Sequence, residues 1–317
     1  MGLKRLIVLG LAILVAAAGL SAAAPTFAVL ALAQALLGVA VAILLGGAVG
    51  GVASWVDASR RADALSLTFS GQAIAWLIGM PLVGLVGSAS WRLTWIALPI
   101  AAAIPAIILV STLPEVRSGR TSVRADLRLL AGDRPLRAWA LGELFAFSAW
   151  TGTLVYSGAL LIESYGLSLQ STGLLLGAIF LAYFPATFVA RRFIDRSARH
   201  LLIGLALAAA GVVALIGSLR PAASVSVSLL AAFVALNSGR TIAGSAFGLD
   251  AAPHRSVTTM GIRASATQLG YLIGAGLGGI ALHAGGYAAL GATFAGLYLM
   301  AILPHLAAAA RVRLDTA

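Results

Sequence analysis

Residues 60–84, RRADALSLTFSGQAIAWLIGMPLVG, have a counterpart 195 positions later, in residues 256–279, SVTTMGIRASATQLGYLIGAGLGG. At that shift Arg60 meets Arg255, Trp76 meets Tyr271, Leu77-Ile78-Gly79 meets Leu272-Ile273-Gly274, and Gly84 meets Gly279. The register extends to the start of the chain, where Lys4 meets Arg199, Leu6 meets Leu201 and Leu11 meets Ala206. One constant shift across four apolar stretches marks a duplicated unit. The fold is therefore read as two related halves.

Composition says what solvent those halves meet. Of 317 residues, 61% are hydrophobic and only 10% are charged, with a mean hydropathy of +1.01. A soluble domain carries about a quarter charged residues. Apolar stretches recur down to residue 308, so the surface must face lipid. Backbone hydrogen bonds in lipid have to be satisfied internally, which leaves helices or closed barrels. The short alternating strands of a barrel do not occur here, so the fold class is an all-α polytopic membrane protein.

Runs of about twenty apolar residues cross the hydrocarbon core. That criterion predicts ten spans, near 6–24, 27–54, 64–87, 91–113, 138–161, 171–190, 201–218, 224–248, 258–282 and 286–308. Only Pro25 and Thr26 separate the first two, which predicts a tight helical hairpin. The first span also resembles a secretory signal, with Lys4 and Arg5 before an apolar run and then SAAA. Its KRLIVLG pairs with RHLLIGL in mid-chain, however, and Pro25 directly follows the small residues. A transmembrane helix is the better reading.

Alternate loops carry the basic residues. One set holds Lys4, Arg5, Arg60, Arg61, the arginines from Arg117 to Arg137, Arg191, Arg192, Arg196, Arg199, Arg255, Arg263, Arg311 and Arg313; the other holds Arg92 and Arg220. The positive-inside rule makes the first set cytoplasmic and places both termini there. The net charge of +11 and pI near 11.3 thus reflect topology; no basic domain for nucleic acid exists. A single lysine amid many Ala, Leu and Arg residues suits a GC-rich bacterial genome, hence an inner-membrane location. The loop after the fourth span is predicted to hold an amphipathic helix with Val123, Leu127 and Leu130 on one side.

Three domain segments follow: a four-span bundle over 1–113, a cytoplasmic loop over 114–136 and a six-span bundle over 137–317. Residues 137–199 have no counterpart in the first half, so the repeat predicts two helices preceding Met1.

In this order the motifs resemble the major facilitator superfamily, whose members carry two six-helix halves. RFIDRSARHLL is similar to the family's loop between the second and third helices of a half, with Asp195, Arg196 and Arg199 matching and Ala198 replacing a glycine. GLKRLIVLG is similar to the tail of the first-half copy, and SWRLTWIALPIAAAIPAIILVSTLPE to the sixth helix. The resemblance implies about ten transmembrane helices (4 + 6) instead of twelve, the first four equivalent to family helices 3–6. It also implies alternating access, and a cytoplasmic gate role for Asp195, Arg196 and Arg199. Two features depart from the family's proton-driven exporters. Gln34, in QALLG, stands where they carry an arginine, and their fifth-helix glycine motif survives as Pro81 and Gly84.

Ionisable residues inside a span are costly and mark candidate sites. Glu143, in WALGELFAF, and Arg240, in LNSGRTIAG, are the two that stand out. They are predicted to approach each other or share a substrate or proton path, the alternative being that Glu143 snorkels to the interface and Arg240 is a structural clasp. Phe147, Trp150 and Leu154 continue the Glu143 face at helical spacing, and Asn237 lies one turn from Arg240. Gln34 is a further pathway candidate, and Gln72 and Gln268 are read as helix–helix hydrogen-bonding groups. The glycines Gly46, Gly47, Gly50 and Gly51, and Gly270, Gly274 and Gly278, predict close helix packing.

The histidines His200, His254, His283 and His305 lack metal-ligand spacing, there are no cysteines, and no phosphate-binding glycine loop with its lysine appears. No catalytic residue, cofactor or metal is expected. The expected function is secondary transport, driven by an ion gradient and exporting small organic molecules, with a small-molecule substrate, protons and the lipid bilayer as partners and a monomer favoured. The alternative is a relative lacking two helices and without transport activity of its own.

Overall fold

The computed structural model describes residues 2–57, 61–112, 115, 128, 131–251 and 256–315, with side chains left out for some of these. Its elements are helices: α1 (Leu3–Ala23), α2 (Phe27–Trp55), α3 (Arg61–Ala89), α4 (Trp91–Thr112), α5 (Arg134–Tyr165), α6 (Leu169–Ala178), a 3-10 turn (Ile179–Ala182), α7 (Tyr183–Ser218), α8 (Ala223–Ala251) and α9 (Ser256–Asp315). Eight segments of the described residues are long and apolar enough to cross a membrane, and Ala73–Ala89 is a shorter apolar helix. The predicted amphipathic helix at Val123, Leu127 and Leu130 lies outside the described residues.

Two compact units emerge, Met1–Arg120 with Leu169–Leu174, and Thr121–Ser168 with Leu175–Ala317. In the first, α1 and α2 form the expected hairpin. The chain turns at Pro25, with Leu30 N–H donating to the Thr26 carbonyl at 3.1 Å. In α1 the buried positions are Leu3, Ile7, Gly10, Leu14, Ala17, Ala18 and Ser21. Their spacing of three and four traces one seam, while Val8, Leu9 and Val15 on the other face stay exposed, as lipid permits. Gly10 and Gly47 bring the helices close: a Cβ on Gly10 would sit 2.9 Å from Ile43 and one on Gly47 3.1 Å from Ile7. From α4, Arg92 donates to the Ala24 carbonyl at 3.1 Å, satisfying a carbonyl left open at the end of α1.

The second unit is built on α5. Asp133 caps it by accepting from Leu136 N–H at 3.0 Å, Pro135 opens the first turn, and Gly166 closes it in the left-handed conformation at φ 65°. The first arm of α9 lies against α5 along Gly270, Gly274 and Gly278, with Gly270 facing Leu144, Phe147 and Ser148 and Gly278 facing Tyr156. Side chains at these glycines would push the helices apart, which is how small residues drive helix association in lipid. Tyr156 ties the same pair by donating to the Ala275 carbonyl at 2.7 Å.

Two long helical runs are not single crossings. The apolar segment Thr259–Leu306 of α9 has 48 residues, about 70 Å at 1.5 Å per residue and over twice the hydrocarbon thickness. It breaks at Gly285 and Gly286, where φ 64° and ψ −155° at Gly286 suit only glycine. Helical backbone also runs through α7 across residues 191–200, which the sequence analysis reads as a loop. Yet Ala190 and Leu205 both reach Gly239 of α8, at 3.2 and 2.9 Å from where its Cβ would be. Fifteen residues of straight helix would separate them by about 22 Å, so the chain turns back between them.

Candidate functional site

Three helix ends set the depth of the site. Glu143 is nine residues into α5, Arg240 eleven residues before the end of α8, and Arg263 seven residues into α9. At 1.5 Å per residue these are about 13, 16 and 10 Å from the three ends. The three side chains meet inside the bundle. Arg240 donates through an NH group to Oε1 of Glu143 at 2.7 Å, and Arg263 donates through Nε to Oε2 at 2.7 Å. Arg263 also donates to the Thr241 carbonyl at 3.1 Å. Glu143 is 0% exposed, Arg240 2% and Arg263 6%.

The surroundings fix this geometry. Gly244 of α8 leaves the room the carboxylate occupies, since a Cβ there would lie 2.6 Å from Oε1. One turn nearer the helix start, buried Trp139 donates from Nε1 to the Gly244 carbonyl at 2.8 Å. Trp139 packs with Leu136 and Ala140 against Phe247, Met260 and Ile262. One turn further along α5, the Phe147 ring centroid lies 5.1 Å from the Arg240 guanidinium and 5.2 Å from that of Arg263, within cation–π range. An apolar plug thus closes one side of the charges and an aromatic ring the other.

Beyond Phe147 the aromatic side continues. Trp150 meets Phe233 at 5.3 Å and Phe180 at 6.2 Å between centroids. Tyr298, from the second arm of α9, donates to Oδ1 of Asn237 at 2.6 Å, and Asn237 donates to the Phe233 carbonyl at 2.9 Å. Phe147, Trp150, Leu154 and Asn237 are all buried within this unit.

The other expected residues fall elsewhere. Gln34, in the first unit, donates to the Ser21 hydroxyl at 3.0 Å and so bonds α2 to α1. Arg199 donates to the carbonyl of buried His305. The side chains of Asp195, Arg196 and Gln72 lie outside those described, as do Gly50 and Gly51. Gln268 is half-buried on α9.

Arg263 departs from the sequence expectation. Counted there as a cytoplasmic loop charge, it is a buried partner of Glu143. The available signal was its position beyond Ser256, two helical turns inside an apolar run. At the repeat shift its counterpart is Thr68, so the duplication gave no warning of a charge.

The described helices form a polytopic membrane protein with a charged cluster inside one bundle. A family model of the Major Facilitator Superfamily matches residues 1–247, and the chain belongs to that superfamily of transporters. Among solved structures it is similar to the nucleoside transporter NupG, with 13% identity, a TM-score of 0.74, and 97% of this chain and 83% of that one covered. The D-xylose-proton symporter is similar at 14% identity and a TM-score of 0.70, covering 96% and 80%. The fucose:proton symporter FucP of E. coli follows at 16% and 0.63, covering 96% and 83%. At these identities the likeness is one of fold.

Proposed function

We propose that this protein is a secondary transporter that exports a small organic molecule across the bacterial inner membrane, driven by a proton gradient, with both termini cytoplasmic. The observation that carries the reading is the burial of Glu143 between Arg240 and Arg263. A carboxylate and two guanidinium groups in an apolar bundle are costly to insert, and such groups mark ion and substrate paths. Phe147, Trp150 and Asn237 supply an apolar wall with one polar group, which suits an organic solute.

In this reading the two bundles rock about a central site, and Glu143 is the group that trades partners. With Glu143 ionised, the two arginines tie α8 and α9 to α5. A proton on Glu143 removes one charge from each contact, and the helices part more easily. Asp195, Arg196 and Arg199 hold the cytoplasmic side closed during the opposite phase, and Gln34 is proposed on the path from the first bundle. The protein works as a monomer.

Uptake by symport is the second reading, favoured by the names of the D-xylose and fucose symporters that share the fold. Reconstitution into proteoliposomes with an internal pH dye separates the two. Under export, adding solute on the cytoplasmic side drives proton entry from the other side; under symport, protons and solute enter together. Arg240→Ala at wild-type protein abundance abolishes both fluxes, and unimpaired flux in that variant contradicts the assignment of the site.

A further inference from the structure

The cluster at Glu143 does not balance its charges. Two guanidinium groups face one carboxylate, and each carboxylate oxygen is already taken, one by each arginine. The guanidinium of Arg240 keeps a buried Nε–H without a partner among the described residues. Among the described residues, the other carboxylates of this unit are engaged or distant: Asp133 caps α5, Glu163 accepts from Tyr287 at 2.7 Å, and Asp250 is exposed. A surplus positive charge in a low-dielectric interior is unfavourable unless an anion meets it.

We infer that the Nε edge of Arg240 is a binding point for the anionic group of an organic solute, and that the transported substrate class is an aromatic or amphiphilic carboxylate. This rests on the transport reading above and adds the substrate's charge. The Nε edge of an arginine can receive a carboxylate side-on through two parallel N–H bonds, a geometry lysine does not offer. Arg263 keeps Glu143 in place while Arg240 turns to the solute. Phe147 against Arg240, Tyr298 on Asn237 and Trp150 on Phe233 receive the apolar body. The cluster is occluded in this conformation, between Trp139 on one side and Phe147 on the other, so the anion enters when the helices separate.

Thermal unfolding of the purified full chain in detergent tests this with benzoate and indole-3-acetate, their neutral amides, inorganic phosphate and chloride as probes. The carboxylates raise the unfolding temperature by several degrees at millimolar concentration, while the amides, phosphate and chloride leave it within one degree. Arg240→Gln loses the carboxylate response, Arg240→Lys keeps a reduced one, and Leu272→Ala, at a position 73% exposed, keeps all of it. Equal stabilisation by acids and amides overturns the inference, as does stabilisation by phosphate or chloride alone, or by nothing. So does a full response in Arg240→Gln. If Arg240→Gln fails to fold, the acid–amide comparison on the unaltered chain decides by itself. Carboxylate binding without flux in vesicles would defeat the transport reading, and the carboxylate's role as transported substrate with it, and leave only the anion-binding point at Arg240 standing. Flux without any carboxylate effect would do the reverse.

Discussion

Arg263 Nε lies 2.7 Å from Oε2 of Glu143, 120 positions away in the chain, with both side chains sealed from the surface. This contact turns a pair of buried charges into a triad with an excess of one positive charge. It also joins α9 to α5 at the level where Arg240 joins α8 to α5. A single carboxylate therefore holds three helices.

Removing that carboxylate should be the most damaging single change in the bundle. Glu143→Gln leaves two buried guanidinium groups unpaired, at a cost of about 3–5 kcal/mol. Arg263→Met leaves Glu143 paired with Arg240 and removes the surplus charge, so its loss should be smaller. Detergent unfolding of the two variants checks the order, and a Glu143→Gln protein as stable as Arg263→Met contradicts it.

Gly244→Ala tests the carboxylate's position without touching a charge. Its Cβ would stand 2.6 Å from Oε1, and overpacking of this kind costs about 1–3 kcal/mol. Gly276→Ala, with nothing within 4 Å of the added Cβ, should be neutral or stabilising by up to about 1 kcal/mol. Unfolding temperatures that move together in the two variants would argue against a packed carboxylate at Gly244.

Loss of the Trp139 hydrogen bond should loosen the same site from the side of the α5 start. Trp139→Phe keeps the ring in the plug but removes the indole donor, leaving the Gly244 carbonyl with its helix hydrogen bond alone, at a cost of about 0.5–1.5 kcal/mol. The measurement is again thermal unfolding, and an unchanged midpoint would show that the indole hydrogen bond does not stabilise the site.

The reversal within α7 can be tested by cross-linking, because the chain has no native cysteine. The Ala190 Cβ lies 3.2 Å from the Cβ position of Gly239, near the separation a disulfide needs. Ala190→Cys with Gly239→Cys should form a disulfide under mild oxidation, and Leu205→Cys, whose native Cδ1 reaches within 2.9 Å of the same point, should join Gly239→Cys through a short bifunctional thiol reagent. Only one of the two links can form if residues 190–205 form a straight helix.

Much of this architecture was legible because lipid makes spans longer and more apolar than anything a soluble domain needs. The hairpin at Pro25 and the division between the last two spans followed from punctuation by Pro, Thr and Gly. Glu143 and Arg240 stood out as charges deep in apolar runs. Arg263 did not, since a cation near a span end looks the same whether it anchors the helix in the loop or turns inward. The phase of α9 around its axis decides between those, and that phase is set by Gly270, Gly274 and Gly278 packing against α5. Gln34, proposed on the path from the first bundle, also bonds to Ser21 on the neighbouring helix, a contact its motif position did not announce.

Proton-coupled flux in proteoliposomes containing equal amounts of unaltered protein and Arg240→Ala tests the central claim most directly. With an aromatic carboxylate as solute, a pH dye inside the vesicles and the passive entry of the neutral acid subtracted with protein-free vesicles, the unaltered chain should move further protons when solute is added and Arg240→Ala should not. Equal proton movement in both would contradict a transport role for the Glu143–Arg240–Arg263 cluster.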